Sequence, residues 1–361
     1  MKVALVHDWL NQKAGGAEQV LDQLATIFPE APIYTMIYNP ERFNYPEERI
    51  RTSFLQSAPD FLKQRSRYLL PLIPSAIEAW DFSDFDVVIS SSCAFSKNII
   101  THEGTIHISY CHSPMRFAWD YWPMYLNEQQ VGPLRRAAIR RMVGRLRLWD
   151  YAGAARVDHF IANSKTTQAR IQKYYRRSSE IVYPPVDSTP HQADKDDYYV
   201  TLGMLTPYKK IDLAIEAFNI SGKPLKVIGD GPDRTRLEAL AAENIEFTGY
   251  VTEEERTHLL AKARGLIFPN IEDFGIAPVD AMAAGTAVIA YAAGGATETV
   301  IEGQTGIFFT EQTARALNEA VLKAETQEFK LSDLHARADQ FSYRQFHDAI
   351  IATVERHSDV E

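Results

Sequence analysis

The sequence predicts an α/β protein made of two doubly wound domains, each built on a parallel sheet. Short apolar segments alternate with longer amphipathic ones along most of the chain, as expected for strands joined by crossover helices. The chain has 361 residues, of which 45% are hydrophobic, so there is enough apolar material for two cores. A Pro-rich and then charged stretch at 183–197 separates two such series and is typical of a linker.

The first series predicts a domain over residues 1–186. Its predicted strands lie at 2–8, 85–92, 105–111 and 158–164, and its predicted helices at 17–28 and 165–175.

The second series predicts a domain over residues 187–340. Its predicted strands lie at 198–205, 224–231, 245–250, 265–270 and 286–295. Its predicted helices lie at 212–220, 236–243, 252–263 and 278–285. A last amphipathic pattern at 343–357 predicts a separate carboxy-terminal helix within the region 341–361.

Composition excludes several classes of protein. The net charge of −9 argues against nucleic acid as the main partner. Cys93 and Cys111 match no metal-binding or redox spacing, so two reduced core thiols in a cytosolic protein are expected. The first residues lack the pattern of a signal peptide, and no window approaches the roughly 20 apolar residues that span a bilayer. A cytoplasmic protein with no metal site is therefore expected.

Ligands of open parallel sheets bind in the loops beyond the carboxyl ends of the strands, and five such loops carry chemistry. Gly15 and Gly16 precede a predicted helix, where backbone N–H groups can approach an anion; a plain tight turn is the alternative. Lys209 and Lys210 lie between a strand and a helix, which favours one of them as a phosphate ligand over two solvated lysines.

The loop at 110–122 follows another predicted strand and combines a histidine with aromatic side chains. His112 can hydrogen-bond a hydroxyl, Arg116 follows it, and aromatic residues such as Trp119 offer flat surfaces on which sugar rings stack. A structural histidine is the alternative.

An acidic pair marks the stretch IEDFGIAPVDAMAAG at 271–285. Glu272 precedes a helix predicted to begin between Gly275 and Pro278, and Asp280 lies within its first two turns. A second glycine pair, Gly294–Gly295, precedes a later helix. Carboxylates accept hydrogen bonds from pairs of hydroxyls, and a helix terminus attracts phosphate, so the sequence predicts a nucleotide-sugar site.

The chain resembles the retaining family-4 glycosyltransferases with the GT-B fold, in which two Rossmann-like domains face a cleft and a carboxy-terminal helix crosses back to the first domain. The resemblance spans nearly the whole chain. It rests on GGAE, IANSKTTQARI, YPPVD, GMLTPYKKIDLAIEAF, VIGDGPD, FTGYVTEEE and FPNIEDFGIAPVDAMAAGTAVIAYAAGGATETV, in this order. It implies that 1–186 binds the acceptor, that 187–340 binds the donor, and that 341–361 packs on the first domain.

The resemblance also implies roles for single residues. Glu272 falls on the glutamate that contacts the transferred sugar, and Asp280, one methylene shorter than the family's second glutamate, falls on the position that binds ribose. Lys209 matches the lysine that binds the diphosphate, whereas Met204 replaces the family's arginine and cannot bind phosphate. His112 falls near the transferring centre.

The full set of site residues follows from these matches. The expected catalytic residues are His112, Glu272 and Lys209. The expected donor-binding residues are Gly16, Lys209, Lys210, Glu272, Phe274, Gly275, Ile276, Asp280, Gly249, Tyr250 and Gly295. The expected acceptor-binding residues are His7, Gly15, His112, Arg116 and Trp119.

Within the family, the chain looks most like bacterial mannosyltransferases that use GDP-mannose in O-antigen-type surface polysaccharide synthesis. The resemblance implies a retaining, metal-independent transfer of a hexose to a sugar or lipid-linked oligosaccharide, with no cofactor beyond the nucleotide sugar. A UDP-sugar donor, a GT-B epimerase or phosphorylase, and a non-catalytic nucleotide-binding module remain alternatives.

The basic stretch at 133–156 permits two interpretations. Ile139, Met142 and Trp149 lie on one helical face, flanked by arginines such as Arg140 and Arg145. The pattern fits an ordinary surface helix packed on the core. It also fits peripheral docking on anionic lipid at the inner face of the cell membrane.

Overall fold

The computed structural model describes residues 1–11, 15–63, 68–120, 122 and 132–358. The chain divides into two compact units. The first unit comprises Met1–Tyr183 together with His347–Glu361, and the second comprises Pro184–Phe346. Each unit is built around its own parallel sheet.

Within the described residues, the sheet of the first unit has seven strands in the order β3-β2-β1-β4-β5-β6-β7. The strands are β1 Val3–His7, β2 Ile33–Thr35, β3 Ile50–Thr52, β4 Val87–Ser92, β5 Ile106–Cys111, β6 His159–Ala162 and β7 Glu180–Ile181. The helices are α1 Gly16–Ile27, α2 Asp60–Lys63, α3 Ile73–Ile77, α4 Pro133–Ala154 and α5 Lys165–Tyr174. The central strands β1 and β4 are buried along their whole length, since helices cover both faces of the sheet.

The described part of the second unit has a sheet of six strands in the order β10-β9-β8-β11-β12-β13. The strands are β8 Tyr199–Leu202, β9 Leu225–Ile228, β10 Ile245–Gly249, β11 Leu266–Phe268, β12 Val288–Tyr291 and β13 Gly306–Phe309. The helices are α6 Ile211–Ser221, α7 Arg234–Leu240, α8 Glu253–Lys262, α9 Ile276–Ala283, α10 Ala296–Thr299, α11 Ala314–Glu325 and α12 Leu331–Asp339. The last helix, α13 Tyr343–Ser358, begins in this unit and continues into the residues grouped with the first.

Both sheets have the strand order of doubly wound α/β domains, as the alternating pattern predicts. The order of strands along the chain reverses between β1 and β4 in the first unit and between β8 and β11 in the second. At such a switch point the loops leaving the two strands diverge and open a crevice that binds ligands. Ligand-binding residues are therefore expected in the loops that follow these four strands.

Helix α4 packs on the core of the first unit through the apolar face that its sequence predicts. Val143 and Leu146 are buried in that core, and Ile139, Met142 and Trp149 pack partly buried against it. This apolar face is consequently not available to a membrane. The solvent-facing side carries several exposed arginines and the exposed side chains of Leu134 and Leu148.

None of the helices among the described residues is both long enough and apolar enough to cross a bilayer.

Candidate functional site

The switch point of the second unit brings a lysine and a glutamate together. Lys209, in the loop after β8, contacts the Glu272 carboxylate, in the loop after β11, through its Nζ atom. Asn270 is buried and donates a hydrogen bond from Nδ2 to the same carboxylate oxygen, Oε1, at 2.8 Å. The side chains of Lys209 and Glu272 remain 17% and 19% exposed, so both are accessible from the crevice.

Two glycines hold the loop that carries Glu272. Gly275 precedes α9 with a φ of +84°, in the region that favours glycine, and a Cβ there would lie 2.9 Å from Cζ of Phe268. Gly295 donates its N–H to the Glu272 carbonyl at 2.9 Å. A Cβ on Gly295 would lie 1.9 Å from the Phe274 carbonyl oxygen, so only glycine fits. The glycine pair after β12 therefore fixes the backbone of Glu272.

These contacts concern two residues that the sequence assigns to donor binding. The Gly295 N–H is committed to the Glu272 loop. The Phe274 ring is buried against Phe341, with ring centroids 5.4 Å apart. Donor binding by Gly295 and Phe274 stays a prediction. Ile276, the first residue of α9, is partly buried beside this loop.

The side chains of the adjacent Lys209 and Lys210 have different neighbours. Lys210 adopts a left-handed conformation with φ of +54° and begins α6. Its side chain lines a surface groove together with Asp212 and Arg236, whereas Lys209 reaches Glu272. The structure therefore favours Lys209 as the ligand of a phosphate beside Glu272 and gives Lys210 different neighbours. Met204, two residues beyond the end of β8, is 51% exposed.

Asp280 has neighbours different from those of Glu272. Its carboxylate lies 3.7 Å from the Arg256 guanidinium of α8, in a small pocket that Asp187 and Glu253 also line. Burial raises the pKa of Asp280 to about 6; Arg256 opposes this shift, and the charges of Glu253 and Asp187 add to it. The sequence prediction that Glu272 and Asp280 grip two ends of one ligand thus stays a prediction. Gly249 ends β10 with φ of +73°, and the Tyr250 side chain beyond it is 54% exposed.

The first unit presents a chain of polar groups at its own switch point. His7 ends β1, Ser91 lies near the end of β4, and His112 follows β5. Ser91 Oγ lies 3.1 Å from His7 Nδ1 and 2.9 Å from His112 Nε2. Glu18, in the first turn of α1, has Oε1 3.7 Å from His7 Nε2. These four side chains form one continuous row, which we call the Glu18–His112 row.

The charge states of the two ends of the row differ. Burial, together with the neighbouring His7, lowers the pKa of His112 to about 3, so its imidazole is neutral. Burial acts to raise the pKa of Glu18, but its contacts with His7 and with backbone N–H groups outweigh this effect, so its pKa lies below the usual value. The row therefore runs from a carboxylate to a neutral imidazole.

Three residues that the sequence assigns to acceptor binding have partners within the first unit. His7 is 1% exposed and bonds Ser91. Trp119 stacks on Tyr174, with centroids 4.9 Å apart, and Arg147 lies over its ring. The Gly15 N–H donates to Glu18 Oε2 at 2.7 Å. Acceptor binding by His7, Trp119 and Gly15 stays a prediction. Arg116 is half-buried in the loop after β5, and Gly16 is the first residue of α1.

The sequence reasoning missed several residues that the structure places at the two switch points. They are Asp8, Glu18, Ser91 and Asn270. Ser91 had a visible signal, because three consecutive serines, Ser90 to Ser92, end a predicted strand where ligand-facing polar groups occur. Among the described residues, no three His, Cys, Asp or Glu side chains are grouped so as to hold a metal ion.

Two sequence families match the chain, one over each half, and the matched ranges overlap at residues 187–189. Residues 14–189 match the family described as Glycosyltransferase Family 4, and residues 187–344 match the family described as Glycosyl transferases group 1.

Individual relatives are distant. A GDP-mannose-dependent alpha-(1-6)-phosphatidylinositol monomannoside mannosyltransferase of Mycolicibacterium smegmatis is 28% identical over 53% of this chain and 63% of its own length. The D-rhamnosyltransferase WbpZ of Pseudomonas aeruginosa is 25% identical over 46% of this chain and 49% of its own length. The chain thus spans about half the length of the curated relatives it matches.

A solved structure shares the fold over the whole chain. The structure of HepE from Anabaena in complex with UDP and glucose aligns with a TM-score of 0.67 at 17% identity, covering 98% of this chain and 99% of that one.

Proposed function

We propose that the chain is a glycosyltransferase of the GT-B type, which transfers a hexose from a nucleotide sugar to a saccharide or lipid-linked oligosaccharide with retention of configuration. Matches to two glycosyltransferase families, over residues 14–189 and 187–344, support this proposal. The best candidate donor is GDP-mannose. Its mannosyltransferase relative and its sequence resemblance to polysaccharide-building mannosyltransferases support this choice.

One observation carries the proposal: Lys209 and Glu272 meet at the switch point of the second unit. A nucleotide sugar needs a cation for the diphosphate that leaves and acceptors for the sugar hydroxyls. Lys209 supplies the cation, and Glu272, oriented by Asn270, supplies the acceptor. Lys209 and Glu272 balance each other's charge. When a donor binds, its diphosphate takes the place of Glu272 beside Lys209, and its sugar hydroxyls take the place of Lys209 beside Glu272. Because Lys209 neutralises the diphosphate, we propose that transfer requires no metal.

His112 is the residue proposed to bind the saccharide acceptor. A neutral imidazole can accept a hydrogen bond from a sugar hydroxyl, and the low pKa of His112 keeps its ring neutral across the physiological range. Arg116, in the same loop, adds a positive charge suited to an anionic acceptor.

A UDP-sugar is the second candidate donor. The HepE structure holds UDP and glucose on the same fold, which favours this alternative. Contacts to the diphosphate and to the sugar hydroxyls serve a GDP-sugar and a UDP-sugar equally, so the choice between them rests on the residues that contact the base.

The test is a panel of nucleotide sugars incubated with the full chain, with and without saccharide acceptors. We expect release of nucleoside diphosphate that depends on GDP-mannose and increases with an acceptor, at equal rates in excess chelator and in Mg²⁺. Turnover with UDP-sugars but not with GDP-mannose would mean that the donor is a UDP-sugar. Formation of an epimerised sugar nucleotide without acceptor, or a strict need for a divalent cation, would overturn the transferase mechanism proposed.

The two lysines give a matched pair of variants. We expect Lys209→Ala to lower turnover by about a hundredfold, the effect of removing one preorganised electrostatic group, and to weaken nucleoside diphosphate binding. Lys210→Ala removes the same charge one residue away, where the side chain lines another groove, and should change turnover only a few-fold. Steady-state kinetics and calorimetry measure both. A greater loss in Lys210→Ala would reassign the phosphate ligand.

We also propose that the first unit docks peripherally on anionic lipid through the solvent-facing side of α4. Arg140, Arg141 and Arg145 are exposed there beside Leu148. Attraction of each arginine to an anionic surface contributes about 1 kcal/mol and is screened by salt. Acidic groups elsewhere must account for the net charge of −9.

Co-sedimentation with phosphatidylglycerol vesicles checks the docking. We expect binding that weakens between low and physiological salt, and that falls when Arg140, Arg141 and Arg145 are all replaced by Gln. Donor hydrolysis should not change in that variant, because none of these residues lies in the proposed site. Wild-type protein that stays in the supernatant at low salt would end the membrane proposal.

A further inference from the structure

The Glu18–His112 row restricts the protons of its two histidines. Ser91 has one hydroxyl proton and lies between two ring nitrogens, His7 Nδ1 at 3.1 Å and His112 Nε2 at 2.9 Å. It can donate to one of these nitrogens, and it must then accept from the other if both contacts are hydrogen bonds. With both rings neutral, the nitrogens facing Ser91 therefore carry opposite proton states: one is protonated and the other has a lone pair.

Glu18 selects between the two arrangements. Its charged carboxylate lies 3.7 Å from His7 Nε2, beyond a good hydrogen-bond distance but close enough for electrostatics to favour a proton on that nitrogen over a lone pair. His7 Nδ1 then has the lone pair and accepts from Ser91, and Ser91 accepts from His112 Nε2.

We propose that Glu18, acting through His7 and Ser91, fixes the tautomer of His112 with the proton on Nε2 and the lone pair on Nδ1. Glu18 is thus a positioning residue, and two side chains, His7 and Ser91, lie between it and the His112 ring. The fixed lone pair makes His112 an acceptor for a hydroxyl of the saccharide substrate. This last consequence rests on the proposed function, whereas the tautomer is a property of the chain alone.

The backbone of α1 makes the effect of one substitution specific. The other Glu18 oxygen, Oε2, accepts the Gly15 N–H at 2.7 Å, so in Glu18→Gln the amide oxygen takes that place. The amide NH₂ group then faces His7 Nε2, and its positive end favours a lone pair on that nitrogen. The lone pair of His7 moves to Nε2, Nδ1 carries the proton and donates to Ser91, and Ser91 donates to His112 Nε2. We expect the tautomer of His112 to reverse.

The test is ¹⁵N NMR of the full chain labelled at histidine, at about pH 8, where an ordinary histidine is neutral. The His112 signals are assigned by their loss in His112→Gln. We expect a protonated Nε2 in wild type and a protonated Nδ1 in Glu18→Gln. The matched control is Asp22→Asn. It removes a carboxylate one turn along α1 that accepts a hydrogen bond from Tyr45 and acts on His7 through its charge alone, and it should keep the wild-type tautomer.

Ser91→Ala provides a second variant that keeps the backbone and the charges. It removes the link between the rings, so we expect His112 to lose its preference and to show both tautomers. A wild-type His112 protonated at Nδ1, or an unchanged tautomer in either Glu18→Gln or Ser91→Ala, would overturn the proposal.

Transfer kinetics separate this proposal from the function of the site. If His112 accepts a substrate hydroxyl, Glu18→Gln should lower kcat by about a hundredfold, within the range for a misdirected acid–base group, while Asp22→Asn stays near wild type. A reversed tautomer with unchanged kcat would confirm the control of His112 by Glu18 and would remove His112 from the mechanism.

Discussion

Replacing Glu272 by Gln should reduce sugar transfer by about a thousandfold, equivalent to about 4 kcal/mol of transition-state stabilisation. The amide is nearly isosteric, but it loses the charge that holds the sugar hydroxyls as positive charge develops on the sugar ring. Affinity for the nucleoside diphosphate alone should not fall, because the substitution frees Lys209 from its carboxylate partner. The same variant therefore separates sugar recognition from phosphate binding.

Kinetics with the donor found in the panel, together with calorimetry of the diphosphate, measure these two effects. Glu319→Gln is the matched control, since Glu319 is an exposed carboxylate on α11 that forms an ion pair with Arg315 of its own helix. Both variants should melt within a few degrees of wild type, because Glu272 lies in a surface loop. Full transfer activity in Glu272→Gln would remove it from the donor site.

Replacing Asp150 by Asn should lower the free energy of unfolding of the first unit by about 3–5 kcal/mol. Asp150 is fully buried, and its carboxylate contacts Lys97 Nζ through Oδ1. Its other oxygen accepts hydrogen bonds from Trp119 Nε1 at 2.7 Å and from the Tyr175 hydroxyl at 2.9 Å. Loss of the negative charge leaves the Lys97 ammonium, only 1% exposed, without its counter-ion.

Urea-induced unfolding of purified variants measures this loss, with hydrogen exchange to localise it to the first unit. Glu319→Gln again serves as the control, because the ion pair between Arg315 and Glu319 is exposed and should contribute less than about 1 kcal/mol. An unchanged midpoint in Asp150→Asn would mean that water or a rearranged Lys97 replaces the carboxylate at little cost.

The fold was predictable because the signal is local and repeated. Alternating apolar and amphipathic segments indicate strands and helices, and crossover connections of this length require parallel strands. Helix α4 is an example, because the apolar face that its sequence predicts, which includes Val143 and Leu146, packs on the core of the first unit. Helices of the first unit that lie between 33 and 84, such as α3 at Ile73–Ile77, are short and carry no clear period, and the sequence did not predict them.

The candidate site was only partly predictable because its contacts join distant residues. Glu272 and Lys209 lie in loops that the strand pattern identifies, but the row that ends at His112 depends on Glu18 and Ser91, which are 73 positions apart in the sequence. Lys209 and Lys210 are indistinguishable by type, and the left-handed backbone of Lys210 directs the two side chains apart. The loop at 110–122 alone does not reveal the partners of Trp119, because Tyr174 and Arg147 come later in the sequence.

The segment after β4 has a further consequence for how tightly the first unit can bind. Asp8 is buried, and its carboxylate accepts the backbone N–H groups of four consecutive residues, at 3.1 Å from Cys93, 2.8 Å from Ala94, 3.0 Å from Phe95 and 2.6 Å from Ser96. An irregular segment normally keeps conformational freedom, which a ligand must remove at about 1–2 kcal/mol for each residue that it orders. Here folding itself has already removed that freedom. A ligand that binds against residues 93–96 therefore meets a backbone with little conformational entropy left to lose, and more of its contact energy appears as affinity.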